Sequence, residues 1–405
     1  MSDLISVDEA HRRLGEHALL PQTETIGVAD AQGRVLAEAI TARVSRPPAA
    51  VSAMDGYAVR LDDVREAGAR LAVIGEAPAG APFERPVGTG QAVRIFTGGE
   101  MPAGTNHIVI QEDTDRDGDT VICRDAYDHS EFVRPAGLDF AAGDTLLTAG
   151  TRLCAGELAL AAAANHAALP VHKKLRVGIL ANGNELKPPG SDLAPGEIVN
   201  SNPAGLAALI RDWGGEPVDL GIAVDTIDAI RSAIISAPDI DIFLPVGGAS
   251  VGDHDLMRPA FAAEGFEPVF EKVAVRPGKP TWFSRTDSKR VLGLPGNPAS
   301  ALVCAHLFLQ PLLTGAPLPL VKARLAAPLP ANGPREQYMR AAISLTDGGV
   351  VMAHAAANQD SSLITPFIRS AGLIRRLPGA PGMETGQVVD CILIRTPRWT
   401  DQDGS

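Results

Sequence analysis

Asp241-Ile242-Phe243-Leu244-Pro245-Val246-Gly247-Gly248-Ala249-Ser250-Val251-Gly252-Asp253-His254-Asp255 passes from an apolar run of strand type into glycines and small residues, and then into carboxylates. In an open α/β sheet, ligands bind just beyond the carboxyl ends of the strands. Backbone amides approach a phosphate closely there only where side chains are absent. The stretch reads as a phosphate-type loop with metal-type carboxylates at its far edge. The plainer reading is a tight strand-to-helix turn that uses glycine for geometry alone. What separates the two is how many similar segments the chain contains.

It contains several. Leu175 to Leu180 is a buried-strand run followed by Ala181-Asn182-Gly183-Asn184. A helix is predicted from Pro203 to Trp213, a strand from Val218 to Val224 and a helix from Ile227 to Ile235. Lys289 to Leu294 and a helix after Asn297 complete the series. Such alternation implies a doubly wound, mostly parallel sheet covered on both faces. Each predicted strand ends in polar residues: Asn182, Asn184 and Glu185 after the first, Asp225 after the second, Gly247 to Asp255 after the third. Arg276-Pro277-Gly278-Lys279-Pro280 adds cations beside a glycine. Leu294-Pro295-Gly296-Asn297-Pro298-Ala299-Ser300 adds a helix N-terminus with its partial positive charge. Parallel topology brings these ends to one edge, a combination suited to a phosphate-bearing ligand held partly by a hard divalent ion. Each piece has a bland reading as well. Asp225 is placed to cap the helix after it, Lys279 to lie on the surface, and Pro295 and Pro298 to end a strand and begin a helix.

Outside this segment the texture changes. Val7 to Leu19 has the spacing of an amphipathic helix. Between Val51 and Ala149, short runs such as Leu71–Ile74, Ala92–Phe96, His107–Ile110 and Thr120–Ile122 alternate with Gly, Pro and Asp clusters, as in a small β-rich domain. Ala155 to Ala168 reads as a helix that ends near Pro170. Beyond Leu318 short strands return, and Thr346-Asp347-Gly348-Gly349 favours a hairpin. The domains predicted are 1–50 with 138–171 (helical, linking), 51–137 (β-rich, inserted), 172–318 (α/β) and 319–405 (C-terminal β). Within the β-rich part, Ser52-Ala53-Met54-Asp55-Gly56-Tyr57-Ala58 places an acidic residue between Met and Gly-Tyr, where it is hard to justify as core.

The chain of 405 residues, 45% hydrophobic and 21% charged, has the composition of a soluble globular protein. A formal charge of −12 and a pI near 5.2 exclude a general nucleic-acid binder, which needs a broad basic surface. Cys123, Cys154, Cys304 and Cys391 show no Cys-x-x-Cys spacing and read as reduced packing residues, not a zinc site or disulfide framework. No apolar h-region and no membrane-length apolar run is visible, so a cytoplasmic location is expected.

Together these segments resemble the MoeA family of molybdopterin molybdenumtransferases, which includes the E domain of gephyrin. The similarity spans essentially the whole chain. Its most specific signature is Ser52 to Ala58. Ile95-Phe96-Thr97-Gly98 is similar to the family's R-I-x-T-G segment, Asp139 matches its R-x-x-G-x-D element and Glu185 its T-G-[DN]-E-L turn. Asn200-Ser201-Asn202 matches its N-S-N element, and Gly247 to Asp255 its G-G-x-S-x-G-x-x-D loop. Ser361, after Asn358 and Gln359, is similar to the serine of N-Q-x-S.

The resemblance implies transfer of molybdenum from molybdate to adenylylated molybdopterin, with release of AMP, in a Mg²⁺-dependent homodimer. The site would lie between the α/β domain of one subunit and the β-rich domain of the other. Asp55, Thr97, Asp139, Glu185, Asp225, Asp255 and Lys279 are the implied catalytic set, with Asp55, Glu185 and Asp225 positioning metal or water. Gly247, Gly248, Ser250, Gly252, Arg276, Pro295, Pro298 and Ser361 would contact the substrates. The molybdopterin adenylyltransferase of the same pathway is a further expected partner; nucleic acid and membrane are not. The chain departs from the family pattern at Asn184, where an aspartate is common, and at Arg276, where lysine is. Asp360 and Ser362 replace the glycines around Ser361. These departures motivate an alternative, a molybdopterin-binding scaffold with reduced catalysis. A pterin adenylyltransferase is a third reading, opposed by the Asp55 signature.

Overall fold

The computed structural model describes residues 4–247, 256–346 and 348–397. They form two compact units, one of residues up to Pro21 with those from Lys174 onward, the other of Gln22–Lys173. Among the described residues no helix is long and apolar enough to cross a membrane.

The first unit contains the predicted α/β sheet. Its six strands run in the order Glu216–Ala223, Arg176–Asn182, Ile242–Val246, Arg290–Gly293, Trp282–Arg285, Glu267–Phe270. The first four pair in parallel and the last two are antiparallel additions. Ile242–Val246 is buried at every position, as a central parallel strand covered on both faces must be. Helices Asn202–Asp212 and Ile227–Ile235 lie one residue from, and on, their predicted bounds. Val7–Glu16 is an N-capped helix, Ser6 accepting from the Glu9 amide; it ends three residues before Leu19. Its Val7, Ala10 and Leu14 share one core with Ile179, Leu244, Phe308 and Leu373.

A second sheet in this unit is formed by Leu320–Leu325, Glu336–Leu345, Val351–Ala355, Gly372–Arg376 and Val388–Leu393. Glu336–Leu345 pairs with Val351–Ala355 along one edge and with Gly372–Arg376 along the other, so the five strands close into a small barrel. Val275–Arg276 adds to it beside Glu336 and Gln337. The predicted hairpin is present, with Leu345 paired to Val351; Asp347 of its turn lies outside the described residues.

The other unit is built on a six-stranded sheet in the order His107–Ile110, Gly56–Val59, Gln91–Ile95, Arg70–Ala77, Thr120–Cys123, Thr114–Asp117. All its pairings are antiparallel except Arg70–Ala77 with Gln91–Ile95. One expectation fails here. The helix from Ala155 stops at Ala163, not Ala168, and Ala168–His172 is a strand paired with Thr23–Gly27. Asn165 takes a left-handed φ of 70° and breaks the helix. The alanine-rich sequence hid that break. All four cysteines are free, and only Cys154 is exposed.

Candidate active site

Asp55 ends the turn that leads into Gly56–Val59, and its carboxylate reaches the next strand's terminus. Oδ1 accepts from the Thr97 amide at 2.7 Å and from the Thr97 hydroxyl at 2.9 Å. The two loops are also laced by backbone bonds, Gly98 N–H to Ser52 O and Ser52 N–H to Gly99 O, both 2.9 Å. Buried Ser52 donates its hydroxyl to Met54 O at 2.6 Å and so closes the turn. Gly56 is required by packing, because a Cβ there would sit 2.1 Å from the Val109 carbonyl oxygen. The Thr97 amide and then its hydroxyl hold the Asp55 carboxyl below the usual carboxylate range, with Arg94 adding to them. Arg94 stacks over Tyr57 and Phe96 and donates to Gly56 O. The result is a half-buried carboxylate, fixed by two hydrogen bonds, whose ionised form is favoured. Val133–Arg134 pairs with Val51–Ser52 and brings the Arg134–Asp139 stretch beside this motif. Asp139 itself is largely exposed, with Arg46 Nε 3.7 Å from its carboxylate.

In the other unit the carboxyl edge of the parallel sheet gathers most of the remaining residues. Asp225 does not cap the helix after it. Thr226 does, accepting from the Ala229 amide at 3.2 Å. Asp225 instead accepts from Asn182 Nδ2 at 3.0 Å and from the Asn184 amide at 3.1 Å, and its own amide donates to Asn184 Oδ1 at 3.3 Å. The ends of two neighbouring strands are thereby clamped. Glu185 folds back over the same turn, its two carboxylate oxygens each 2.7 Å from where a Cβ on Gly183 would lie. Gly247 donates its amide to Leu294 O at 3.3 Å, which places the third strand end against the Pro295–Pro298 loop. Asn202 Nδ2 donates to Gly296 O at 2.8 Å and joins that loop to the start of helix Asn202–Asp212.

Two acceptors at this edge have no partner among the described residues: Asn182 Oδ1 and Asn202 Oδ1, both buried. An unmatched buried acceptor is costly, so each of these oxygens favours a nearby donor. A cavity of about 920 Å³ opens alongside, lined by Gly183, Asn184, Lys187, Asn200, Ala204 and Arg211 among others.

Ser361 arrives from the C-terminal barrel. Its hydroxyl accepts from Asn297 Nδ2 at 2.9 Å, and its carbonyl takes the Ala299 amide at 3.1 Å, in the first turn of the helix that starts at Pro298. The loop that carries it is held by Arg340, a buried side chain that the sequence reading passed over. Arg340 donates to the carbonyls of Leu363, Asn358 and Asp360 and to Gln359 Oε1. The signal available was an arginine in the middle of an otherwise half-apolar strand, Tyr338-Met339-Arg340-Ala341. Lys279 is exposed, on a loop packed against Cys304 through Gly278. Arg276 faces a separate polar cavity together with residues of the barrel. Gly248, Ser250, Gly252 and Asp255 lie outside the described residues.

Comparison with known proteins agrees along the length of the chain. Residues 5–165 match the MoeA N-terminal region (domain I and II), residues 178–315 a probable molybdopterin binding domain, and residues 322–394 the MoeA C-terminal region (domain IV). The molybdopterin molybdenumtransferase of a Nostoc species is 37% identical over 355 residues, 84% of this chain and 81% of the relative. The Bacillus subtilis protein of the same name is 34% identical over 407 residues, 96% of this chain and 94% of its own. The crystal structure of a molybdopterin biosynthesis MoeA protein from Pyrococcus horikosii superposes with a TM-score of 0.84 at 27% identity, covering 97% of this chain and 100% of that one. The chain belongs to the MoeA family, the molybdopterin molybdenumtransferases.

Proposed function

We propose that this enzyme takes adenylylated molybdopterin and molybdate as substrates, uses Mg²⁺, and acts as a cytoplasmic homodimer. The observation that carries the reading is the clamp at the sheet edge, where Asp225 is fixed by Asn182 and Asn184 while the side-chain oxygens of Asn182 and Asn202 have no hydrogen-bond partner among the described residues. A pterin offers ring N–H groups to such acceptors.

The chemistry balances without a further reactant. The two thiols of the pterin dithiolene displace one oxide of molybdate, which leaves as water with both thiol protons. Cleavage of the anhydride to AMP consumes one water.

Among the described residues no three carboxylate, histidine or cysteine side chains form a ready-made metal cage. Mg²⁺ commonly takes only one or two carboxylates together with substrate phosphates, and Asp225 and Glu185 at one turn fit that pattern. When bound, the ion would neutralise charge developing on the phosphates. Asp225 and Glu185 orient the attacking water. Lys279 offsets the anionic charge of the substrates, and Ser361, fixed by Asn297, shapes the anion's surroundings. In the dimer, the Asp55–Thr97 corner of one copy would complete the crevice of the other, with Asp139 near it.

The test is anaerobic incubation with adenylylated molybdopterin, molybdate and Mg²⁺, following AMP and molybdenum-loaded pterin. Both products should appear together. AMP release that ignores molybdate, or none at all, contradicts the reading.

A further inference from the structure

Three adjacent strands place Arg276, Gln337 and Arg376 side by side. Arg276 is the register partner of Gln337 on one edge of Glu336–Leu345, and Arg376 is its partner on the other. Directly opposed residues project to the same face of a sheet, and strands lie about 4.8 Å apart, so two guanidinium-bearing side chains flank one amide within about 10 Å. Along the same face, Gln337 is followed by Met339, Ala341 and Ile343, and Arg376 is preceded by Ile374, all of which pack in the barrel core. The row therefore sits at one mouth of the barrel, a preferred place for small ligands.

The electrostatics of the row are unbalanced. Arg376 is 3% exposed. Its Nη2 donates to the carbonyls of Pro330 at 3.2 Å and Pro381 at 2.6 Å. Nε and Nη1 are buried with no hydrogen-bond partner among the described residues, and no carboxylate pairs with the group there. Carbonyl dipoles do not neutralise a buried cation, and a charge removed from water without a counter-charge is strongly unfavourable. Its neighbour Arg375, on the opposite face, shows the usual solution: Nε donates to Glu336 at 2.5 Å, and Nη2 lies 3.2 Å from Asp8. Arg276 is exposed and makes no ion pair among the described residues. The row opens into a cavity of about 470 Å³. The one carboxylate lining it, Asp360, spends Oδ1 on the amide and hydroxyl of Ser362. Arg340, beneath, is fully occupied by the carbonyls of its loop.

We infer that this mouth is a binding site for a tetrahedral oxyanion, which bridges Arg276 and Arg376 and accepts from the Gln337 amide. It is separate from the sheet-edge crevice, since neither Lys279 nor Ser361 lines this cavity. Naming molybdate as its physiological occupant rests on the proposed function: the site would hold the oxyanion substrate before transfer. The site itself does not depend on that reading.

The decisive variant is Gln337→Glu, which sets a carboxylate between the two arginines and supplies the missing counter-charge from within. Crystals soaked in sodium molybdate, and separately in sodium selenate, are read by anomalous scattering. The wild type should show a peak at the row in both soaks. Gln337→Glu should lose it, bind molybdate at that site at least tenfold more weakly by calorimetry, and melt at a higher temperature than the wild type. Arg276→Ala, which leaves the buried arginine in place, should weaken the peak without unfolding the protein. An empty wild-type row, or a peak unchanged in Gln337→Glu, overturns the site even if the enzyme turns over normally. An occupied row in a protein that transfers no molybdenum keeps the site and removes the proposed function.

Discussion

Asp55 and Thr97, 42 positions apart in sequence, are joined by two hydrogen bonds to a single carboxylate oxygen. The second oxygen of Asp55 receives no hydrogen bond from the described residues and is available to metal or water. Asp55→Ala should leave the fold intact, since the side chain is only half-buried and the two loops stay joined by the backbone bonds of Ser52 with Gly98 and Gly99, and should abolish AMP release. Thr97→Val removes only the hydroxyl bond and should retain partial activity. Far-ultraviolet dichroism together with AMP release distinguishes these outcomes from unfolding.

The same pair fixes a pH dependence. The folded-state pKa of Asp55 lies below its ordinary value, chiefly through the Thr97 amide. Its contribution is therefore present above the usual carboxylate range and is lost as pH falls through the lowered pKa. The rate profile of the wild type should show no limb from Asp55 at neutral pH. In Thr97→Val the acidic limb should move upward.

Buried histidine sets the acid stability of the other unit. His306 packs against Trp213 and Phe367, and burial lowers its pKa from 6.5 to about 4. The unfolded chain binds a proton at higher pH than the native one. Stability is thus unaffected above pH 6.5 and falls as pH drops toward 4, by about 3 kcal/mol for this one group. His306→Phe keeps a ring in place and should flatten that slope in urea titrations between pH 6.5 and 4.

Gly278 carries the loop between Arg276 and Lys279. It has φ of +114°, and a Cβ there would lie 2.1 Å from Cys304 Sγ. Gly278→Ala should cost about 2–4 kcal/mol, from backbone strain and overpacking together. Adding Cys304→Ala relieves only the steric part, so the double variant should recover some stability but not all. Full recovery would mean the backbone conformation is unstrained.

Asn184 stands where an aspartate is common in the family, and its Oδ1 accepts from the Asp225 amide. Asn184→Asp preserves that acceptor and adds a negative charge beside the Asp225 carboxylate. Divalent cations should then bind more tightly, and the Mg²⁺ concentration for half-maximal activity should fall. An unchanged Mg²⁺ dependence would place the metal away from this turn.

The parallel sheet was readable because its strands are short apolar runs with abrupt polar ends, and period and punctuation agree there. Ile227–Ile235 matches its predicted bounds since Thr226, Asp228 and the apolar spacing all favour one start. The two antiparallel strands Glu267–Phe270 and Trp282–Arg285 were not foreseen; they have no helix between them and no alternating pattern of their own. The role of Asp225 was ambiguous for a physical reason. A carboxylate just before a helix has the same local sequence whether it caps that helix or bonds a strand end 43 residues away. Arg340 and the Arg276–Gln337–Arg376 row depend on pairing between strands distant in sequence, which no local pattern encodes.

The most direct test of the proposed shared site uses two inactive proteins, Asp55→Ala and Glu185→Gln. Each homodimer alone should release no AMP from adenylylated molybdopterin. After subunit exchange, mixed dimers carry one crevice with both carboxylates intact, and AMP release should reappear. Exchange verified by mass spectrometry with no return of activity would contradict a site built from two copies of the chain.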